Sequence, residues 1–82
     1  MSLVELTELL IKNLTEDPEM VTVKEFDSDN DREIMIQVII SEADMGRVIG
    51  KAGRNANSIR NIVQASSYLK DNKRVIINID AV

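Results

Sequence analysis

The chain has 82 residues, 44% of them hydrophobic, and this size and apolar content are typical of one small globular domain with a modest core. It contains no cysteine and no histidine, which excludes disulfides, thiolate metal sites and histidine-based acid–base catalysis. Fourteen acidic and ten basic residues give a net charge of −4, which by itself argues against a nucleic-acid partner.

The first element in chain order is predicted to be an amphipathic helix. Ser2 followed by Glu5 matches a capping box, in which each residue bonds the other's backbone N–H. Leucines at positions 3, 6, 10 and 14 then recur at helical spacing. The pair Asp17-Pro18 predicts the end of the helix, because the residue before a proline is disfavoured in helical geometry.

Three strands are predicted from alternating apolar residues, over Met20 to Phe26, Glu33 to Ile40 and Lys73 to Asp80. In the second strand, one face carries only aliphatic side chains and the other is more polar. One side of the sheet is therefore expected to pack on helices and the other to be partly open. The segment Asp27–Asp31 is predicted to be a solvated hairpin turn, since it lacks the glycine and glutamate that a calcium loop needs.

Two helices with a glycine-containing turn between them are predicted in the middle of the chain. Ser41 with Asp44 is typical of a helix start, the hydroxyl acting as N-cap and the carboxylate occupying the third helical position. Gly50 and Gly53 then bracket two residues, and glycine adopts backbone angles that a Cβ forbids. The apolar positions that follow recur at helical spacing: Ala56, Ile59, Ile62, Val63 and Ser66.

The basic residues concentrate around this turn. Between Met45 and Lys70 there are five basic side chains and no acidic one, so this segment carries +5 and the remainder −9, which sum to −4. The five are Arg47, Lys51, Arg54, Arg60 and Lys70. Charge alone leaves two interpretations open, namely solvated residues on surface helices or a local site for an anionic partner.

An aliphatic pair followed by Gly-basic-x-Gly, placed between two helices with strands before and after, resembles a KH domain. The predicted order α-β-β-α-α-β is similar to the type II arrangement. Asp44–Arg54 followed by Ile59-Arg60 resembles the signature of small bacterial single-KH proteins, the KhpA family. This resemblance implies that residues 1–82 form one KH domain of the α+β class, a three-stranded sheet with three helices on one face.

The resemblance further implies a non-catalytic protein that binds single-stranded RNA by clamping its backbone with the Gly-x-x-Gly turn. It implies a role as an RNA chaperone or post-transcriptional regulator, and pairing both with itself and with a larger KH-containing partner. The candidate RNA-binding residues are Arg47, Ile49, Gly50, Lys51, Ala52, Gly53 and Arg54. A structural role stays open for Arg47 and Ile49. Ala52 departs from relatives that often carry a polar or basic residue, which leaves the strength of binding open.

The third helix also carries a candidate dimer interface at Ile62 and Ala65. Ala56, Ile59 and Val63 make the better inward-facing set, which leaves Ile62 to one side of the core. Ile62 either packs at the edge of the core or forms a contact patch, and the resemblance favours the patch. The alternative function is therefore a KH-scaffold protein–protein dimerisation module with little RNA binding.

No cofactor, metal ion or catalytic residue is expected from this sequence. The apolar runs are too short to cross a bilayer, so no membrane partner is expected, and no signal peptide opens the chain. A cytoplasmic location is the expectation that follows.

Overall fold

The computed structural model describes all 82 residues. Six main elements follow one another in the predicted order: α1 (Leu3–Lys12), β1 (Thr22–Asp27), β2 (Glu33–Ile40), α2 (Met45–Ile49), α3 (Arg54–Lys70) and β3 (Arg74–Ala81). Short 3₁₀ turns cover Pro18–Met20, Glu42–Asp44 and Lys51–Gly53. None of the helices combines the length and apolar character that crossing a membrane requires.

Helix α1 begins as predicted and ends earlier than predicted. The Glu5 N–H donates to Ser2 Oγ at 3.1 Å, and the Ser2 N–H donates to Glu5 Oε1 at 3.0 Å. The bond from the Ser2 backbone is the main cause that lowers the pKa of Glu5. The helix stops at Lys12, five residues before Asp17, where Asn13 Nδ2 donates to the Leu9 carbonyl at 2.7 Å. Such local side-chain bonds compete with helix continuation.

The sheet is mixed and has the strand order β1-β2-β3. Strands β1 and β2 pair antiparallel, whereas β2 and β3 pair parallel, with Ile36 beside Ile77. Strand β1 begins at Thr22 instead of the predicted Met20, because Pro18 opens a 3₁₀ turn that includes Met20. The parallel pair needs a crossover, and α2 and α3 supply it.

The core lies between the sheet and the helices, on the predicted face of β2. Its buried aliphatic side chains there are Ile34, Ile36, Val38 and Ile40. Helix α3 adds Ala56, Ile59 and Val63, which confirms the predicted inward set. Met35, Gln37 and Ile39, on the other face of β2, are only half-buried, so that side of the sheet is partly open as expected.

Helix α3 is also bonded to the side of β3 that has no strand partner. Gln64 Nε2 donates to the Lys73 carbonyl at 2.9 Å, and the Val75 N–H donates to Gln64 Oε1 at 2.8 Å. The Arg60 guanidinium donates to the Ile77 carbonyl at 3.3 Å. These bonds fix the long helix against the sheet, and with it the turn at the helix N-terminus.

The chain path separates the two exposed turns of the molecule. Strand β2 begins at the acidic hairpin turn (Asp27–Asp31) and leads to α2 at its other end. Helix α3 then runs back, so that β3 starts beside Arg32, whose carbonyl accepts a bond from the Arg74 N–H at 2.8 Å. The acidic hairpin turn and the Gly-x-x-Gly turn thus lie at opposite ends of β2, in a molecule of 35 × 21 × 21 Å.

Candidate functional site

The Gly50–Gly53 segment, called the glycine turn below, has the backbone geometry expected of its two glycines. Gly50 follows helix α2 with φ 76° and ψ 173°. Residues other than glycine rarely adopt these backbone angles. Gly53 precedes α3 in the left-handed conformation, with φ 74° and ψ 13°. Ala52 also has a positive φ of 56°, which is uncommon for a residue with a Cβ.

Close packing is a second reason why residue 50 has to be glycine, and this reason does not apply to residue 53. A Cβ on Gly50 would lie 2.8 Å from Asn55 Cγ and 2.9 Å from Asn55 Nδ2, which is too close. A Cβ on Gly53 would have no atom nearer than 3.9 Å, so only its φ demands glycine. Asn55 was not predicted from the sequence to belong to the site. Its position just after the start of α3 was the one available signal.

The candidate basic residues differ in whether their side chains are paired with an acidic residue. The side chains of Lys51 and Arg54 are exposed and take part in no hydrogen bond or ion pair. Arg47 is exposed too, but its guanidinium pairs with the Glu16 carboxylate. The tip of the glycine turn therefore presents two unpaired positive charges on either side of Ala52, which is itself exposed.

Asp44 lies beneath this site, at the helical position predicted for it, and accepts hydrogen bonds that the sequence did not predict. The residue is 3% exposed and accepts hydrogen bonds from the backbone N–H groups of Glu16 at 3.0 Å and Asp17 at 3.2 Å. The Ser41 hydroxyl is the predicted N-cap of the 3₁₀ turn Glu42–Asp44, where it accepts from the Ala43 N–H at 3.3 Å. Asp44, the last residue of that turn, directly precedes α2. It ties the segment after α1 to the start of α2 and places Glu16 beside Arg47.

The apolar candidates divide between core and surface. Val48 is fully buried and belongs to the core, while Ile49 is half-buried at the end of α2. Ile62 is 46% exposed and Ala65 is also exposed. Ile62 borders a shallow groove of about 280 Å³ between α1 and α3, whose apolar walls include Leu10 and Leu14.

A Gly-x-x-Gly turn between two helices, packed on a three-stranded mixed sheet, defines a KH domain, and solved structures share this fold. One is Era in complex with MgGDPNP and nucleotides 1506–1542 of 16S ribosomal RNA, with a TM-score of 0.68 and 22% identity. The match covers 96% of this chain and 29% of that one. An Aquifex aeolicus Era variant bound to GDP and AlF4⁻ gives a TM-score of 0.70 at 22% identity, over 98% of this chain and 30% of that one.

Sequence relatives narrow the class further. A family model described as KhpA/KhpB, KH domain, matches residues 4–79. The RNA-binding protein KhpA of Clostridium perfringens is 41% identical over 75 residues, covering 92% of this chain and 96% of the relative. The KhpA of Thermotoga maritima is 32% identical over 92% of this chain and 95% of its own length. The chain belongs to the bacterial KhpA family of KH-domain proteins, a non-catalytic family, which confirms the prediction that it is not an enzyme.

Proposed function

We propose that this chain binds single-stranded RNA and clamps its backbone with the glycine turn. The observation that carries the proposal is a pair of exposed cations with unpaired side chains, Lys51 within the turn and Arg54 directly after it. The glycines of this turn let another backbone approach. Each cation is free to make a charge-assisted bond to a phosphate. The Arg54 N–H donates to the Lys51 carbonyl, and Gly53 offers no side-chain cap to the N–H groups that follow, where a helix N-terminus favours an anion.

The remaining candidate residues have secondary parts in this proposal. Ile49, half-buried at the end of α2, offers an apolar contact to a base. Arg47 is held by Glu16, so a phosphate that binds Arg47 has to replace that carboxylate. Gly50 contributes backbone to the clamp, and Ala52 and Gly53 contribute backbone with an unobstructed surface.

The proposed binding is modest in affinity and loose in sequence preference. Phe26 and Tyr68 are the chain's aromatic residues and neither belongs to the glycine turn, so the stacking platforms of many single-strand binders are missing there. Two or three phosphate contacts give a slope of about −1.4 to −2.1 for log affinity against log salt. Weak, general contact suits an RNA chaperone or a post-transcriptional regulator, which is the cellular role we propose.

A double substitution tests the clamp. Lys51→Asp with Ala52→Asp places two carboxylates against the phosphates, and we expect RNA binding to be lost. The fold should persist, because both side chains are exposed and Asp tolerates a positive φ at position 52 better than most residues. The measurement is fluorescence anisotropy of a labelled single-stranded RNA, with circular dichroism to verify folding.

The matched control is Arg32→Asp, which adds negative charge at the acidic hairpin turn on the opposite end of β2 and should leave binding nearly unchanged. A folded double variant that binds RNA as well as the wild type would show that the glycine turn is not the clamp.

We also propose that two copies associate through Ile62 and Ala65. The exposure of Ile62 beside the apolar groove of Leu10 and Leu14 supports this, because an aliphatic patch on a small protein is a typical contact site. Two glycine turns in one particle let two weak sites act on one RNA. A larger KH-containing protein is the other partner we propose, and the family description, KhpA/KhpB, supports it.

Light scattering at tens of micromolar tests the dimer. We expect the wild type to be dimeric and Ile62→Asp to be a folded monomer with weaker RNA binding. Phe26→Asp is the control, since Phe26 is 52% exposed on the other face of the sheet and its replacement should leave the dimer intact. A monomeric wild type would refute the proposal. A wild type that dimerises without binding RNA would instead support the dimerisation module.

A further inference from the structure

We infer that Asn55 is a positioning residue that holds the glycine turn in its binding shape without itself contacting RNA. This inference rests on the proposed function of the turn. It starts from two separate observations on the same side chain, a hydrogen bond to the end of α2 and a close contact with Gly50.

The hydrogen bond completes the end of helix α2. The last four carbonyl groups of a helix have no hydrogen-bond donor within the helix, because the residues that follow are not helical. A longer helix would satisfy the Arg47 carbonyl with the N–H of residue 51, but Gly50 turns the chain away first. Asn55 Nδ2 donates to the Arg47 carbonyl at 2.7 Å instead. A side chain from the start of α3 thus caps α2 across eight residues.

The close contact explains the shape of the turn at Gly50. The Asn55 carboxamide occupies the space where a side chain on residue 50 would lie, with Cγ and Nδ2 within 3 Å of that position. Gly50 and Asn55 therefore fit each other as a pair. Asn55 is half-buried behind the turn, whereas Lys51 and Ala52 are exposed at its tip.

Together these contacts fix both ends of a segment that is intrinsically flexible. The turn has two glycines, and fixing the backbone of each residue costs conformational entropy, most of all for glycine. A turn that is ordered before RNA arrives avoids that cost during binding. Asn55 therefore affects RNA affinity through the order of the turn, with no phosphate contact of its own.

The test compares Asn55→Ala with the control Asn61→Ala, which changes an exposed asparagine of α3 whose side chain makes no hydrogen bond. For Asn55→Ala we expect about fivefold weaker RNA binding, the effect of one net hydrogen bond, at a temperature where both variants are folded. The salt slope should stay that of the wild type, because no phosphate contact is lost. NMR relaxation should show new backbone motion confined to residues 50–53.

Alanine is a better helix former than asparagine, so weakening of α3 cannot produce this result. Asn55→Leu keeps most of the side-chain bulk and removes the donor, which separates the hydrogen bond from the packing. It serves as the second variant if Asn55→Ala is poorly folded. Asn55→Ala should also reduce the cost of Gly50→Ala, since the clashing Cγ and Nδ2 are gone.

The proposal fails if folded Asn55→Ala and Asn55→Leu bind RNA like the wild type and residues 50–53 stay as rigid as before. It also fails if Asn55→Ala flattens the salt slope, since Asn55 would then act at the phosphates directly. If the wild type binds no RNA, the proposed function falls, and the relaxation data on the glycine turn still decide whether Asn55 orders it.

Discussion

The acidic hairpin turn and the glycine turn are both exposed, yet different contacts hold them. In the hairpin turn the bonds are local: the Asn30 N–H donates to Ser28 Oγ at 3.2 Å, and the Arg32 N–H donates to Asn30 Oδ1 at 2.9 Å. In the glycine turn the stabilising side chain is Asn55, which lies outside the turn and behind it. Short polar residues make a turn by themselves and use up their polar groups. A turn held from behind keeps its outer surface free for a ligand.

The two turns also differ in charge. Around the hairpin turn the acidic residues are Glu25, Asp27, Asp29, Asp31 and Glu33. The exposed charged side chains at the tip of the glycine turn, Lys51 and Arg54, are basic. A polyanion is therefore attracted to one end of β2 and repelled from the other, although the chain as a whole is acidic. Net charge thus says little about the partner of this protein, and the distribution of charge says more.

The largest expected effect concerns the core that joins the two turns. Ile36 and Ile77 are 1% and 4% exposed on neighbouring strands, so truncating either to alanine should cost about 2–5 kcal/mol of unfolding free energy. Chemical denaturation measures this cost. Ile76→Ala, at a half-buried position beside Met35 on the open face, should cost less. A loss below about 0.5 kcal/mol at both core positions would contradict the assignment of the faces.

Smaller changes in stability are expected when alanine replaces Gly50 in the glycine turn or Gly46 in helix α2. Gly50→Ala should destabilise the protein by about 1–3 kcal/mol, because residue 50 has a positive φ and faces Asn55. Gly46→Ala should stabilise it by about 0.5–1 kcal/mol, since Gly46 is helical with no atom within 4 Å of the added Cβ. Thermal melting of both variants checks the pair. Equal effects would show that the turn at Gly50 is not constrained as described.

The smallest expected effect is a change in the salt dependence of RNA binding when a single positive charge is removed at one turn or the other. Lys51→Ala should reduce the slope of log RNA affinity against log salt by about 0.7, the contribution of one phosphate contact to a single strand. Arg32→Ala, at the hairpin turn, removes the same charge and should leave the slope unchanged. Anisotropy titrations at several salt concentrations measure both slopes. If Arg32→Ala changed the slope as much as Lys51→Ala, RNA would be attracted by the electrostatic field of the whole protein and not by the glycine turn.

The order of elements and the buried faces were predictable from the sequence, because they depend on short-range periodicity. Alternation in Glu33–Ile40 identified the core face of β2, and helical spacing identified Ala56, Ile59 and Val63 as inward residues of α3. The two glycines and their basic neighbours marked the turn for the same reason.

The features that the sequence did not reveal depend on hydrogen bonds between side chains and the main chain, which periodicity does not report. The N–H groups of Glu16 and Asp17 donate to Asp44 across 28 and 27 residues, and the local pattern predicted only its position in the helix start. Asn55 acts on a carbonyl eight residues earlier, so its role appears only once α2 and α3 are packed. The early end of α1 at Lys12 reflects competition between local hydrogen bonds, which the pattern of leucines does not report.

The bonds from Gln64 and Arg60 to β3 have a consequence for how copies of this protein meet. An uncovered edge strand is a template on which another chain can extend the sheet, leading to aggregation. Along the first half of β3, the Lys73 carbonyl, the Val75 N–H and the Ile77 carbonyl are already occupied. A neighbouring molecule therefore finds a row of main-chain groups there that is interrupted by the side chains of α3. These bonds oppose the extension of the sheet at this edge, which is the step that leads to uncontrolled polymerisation.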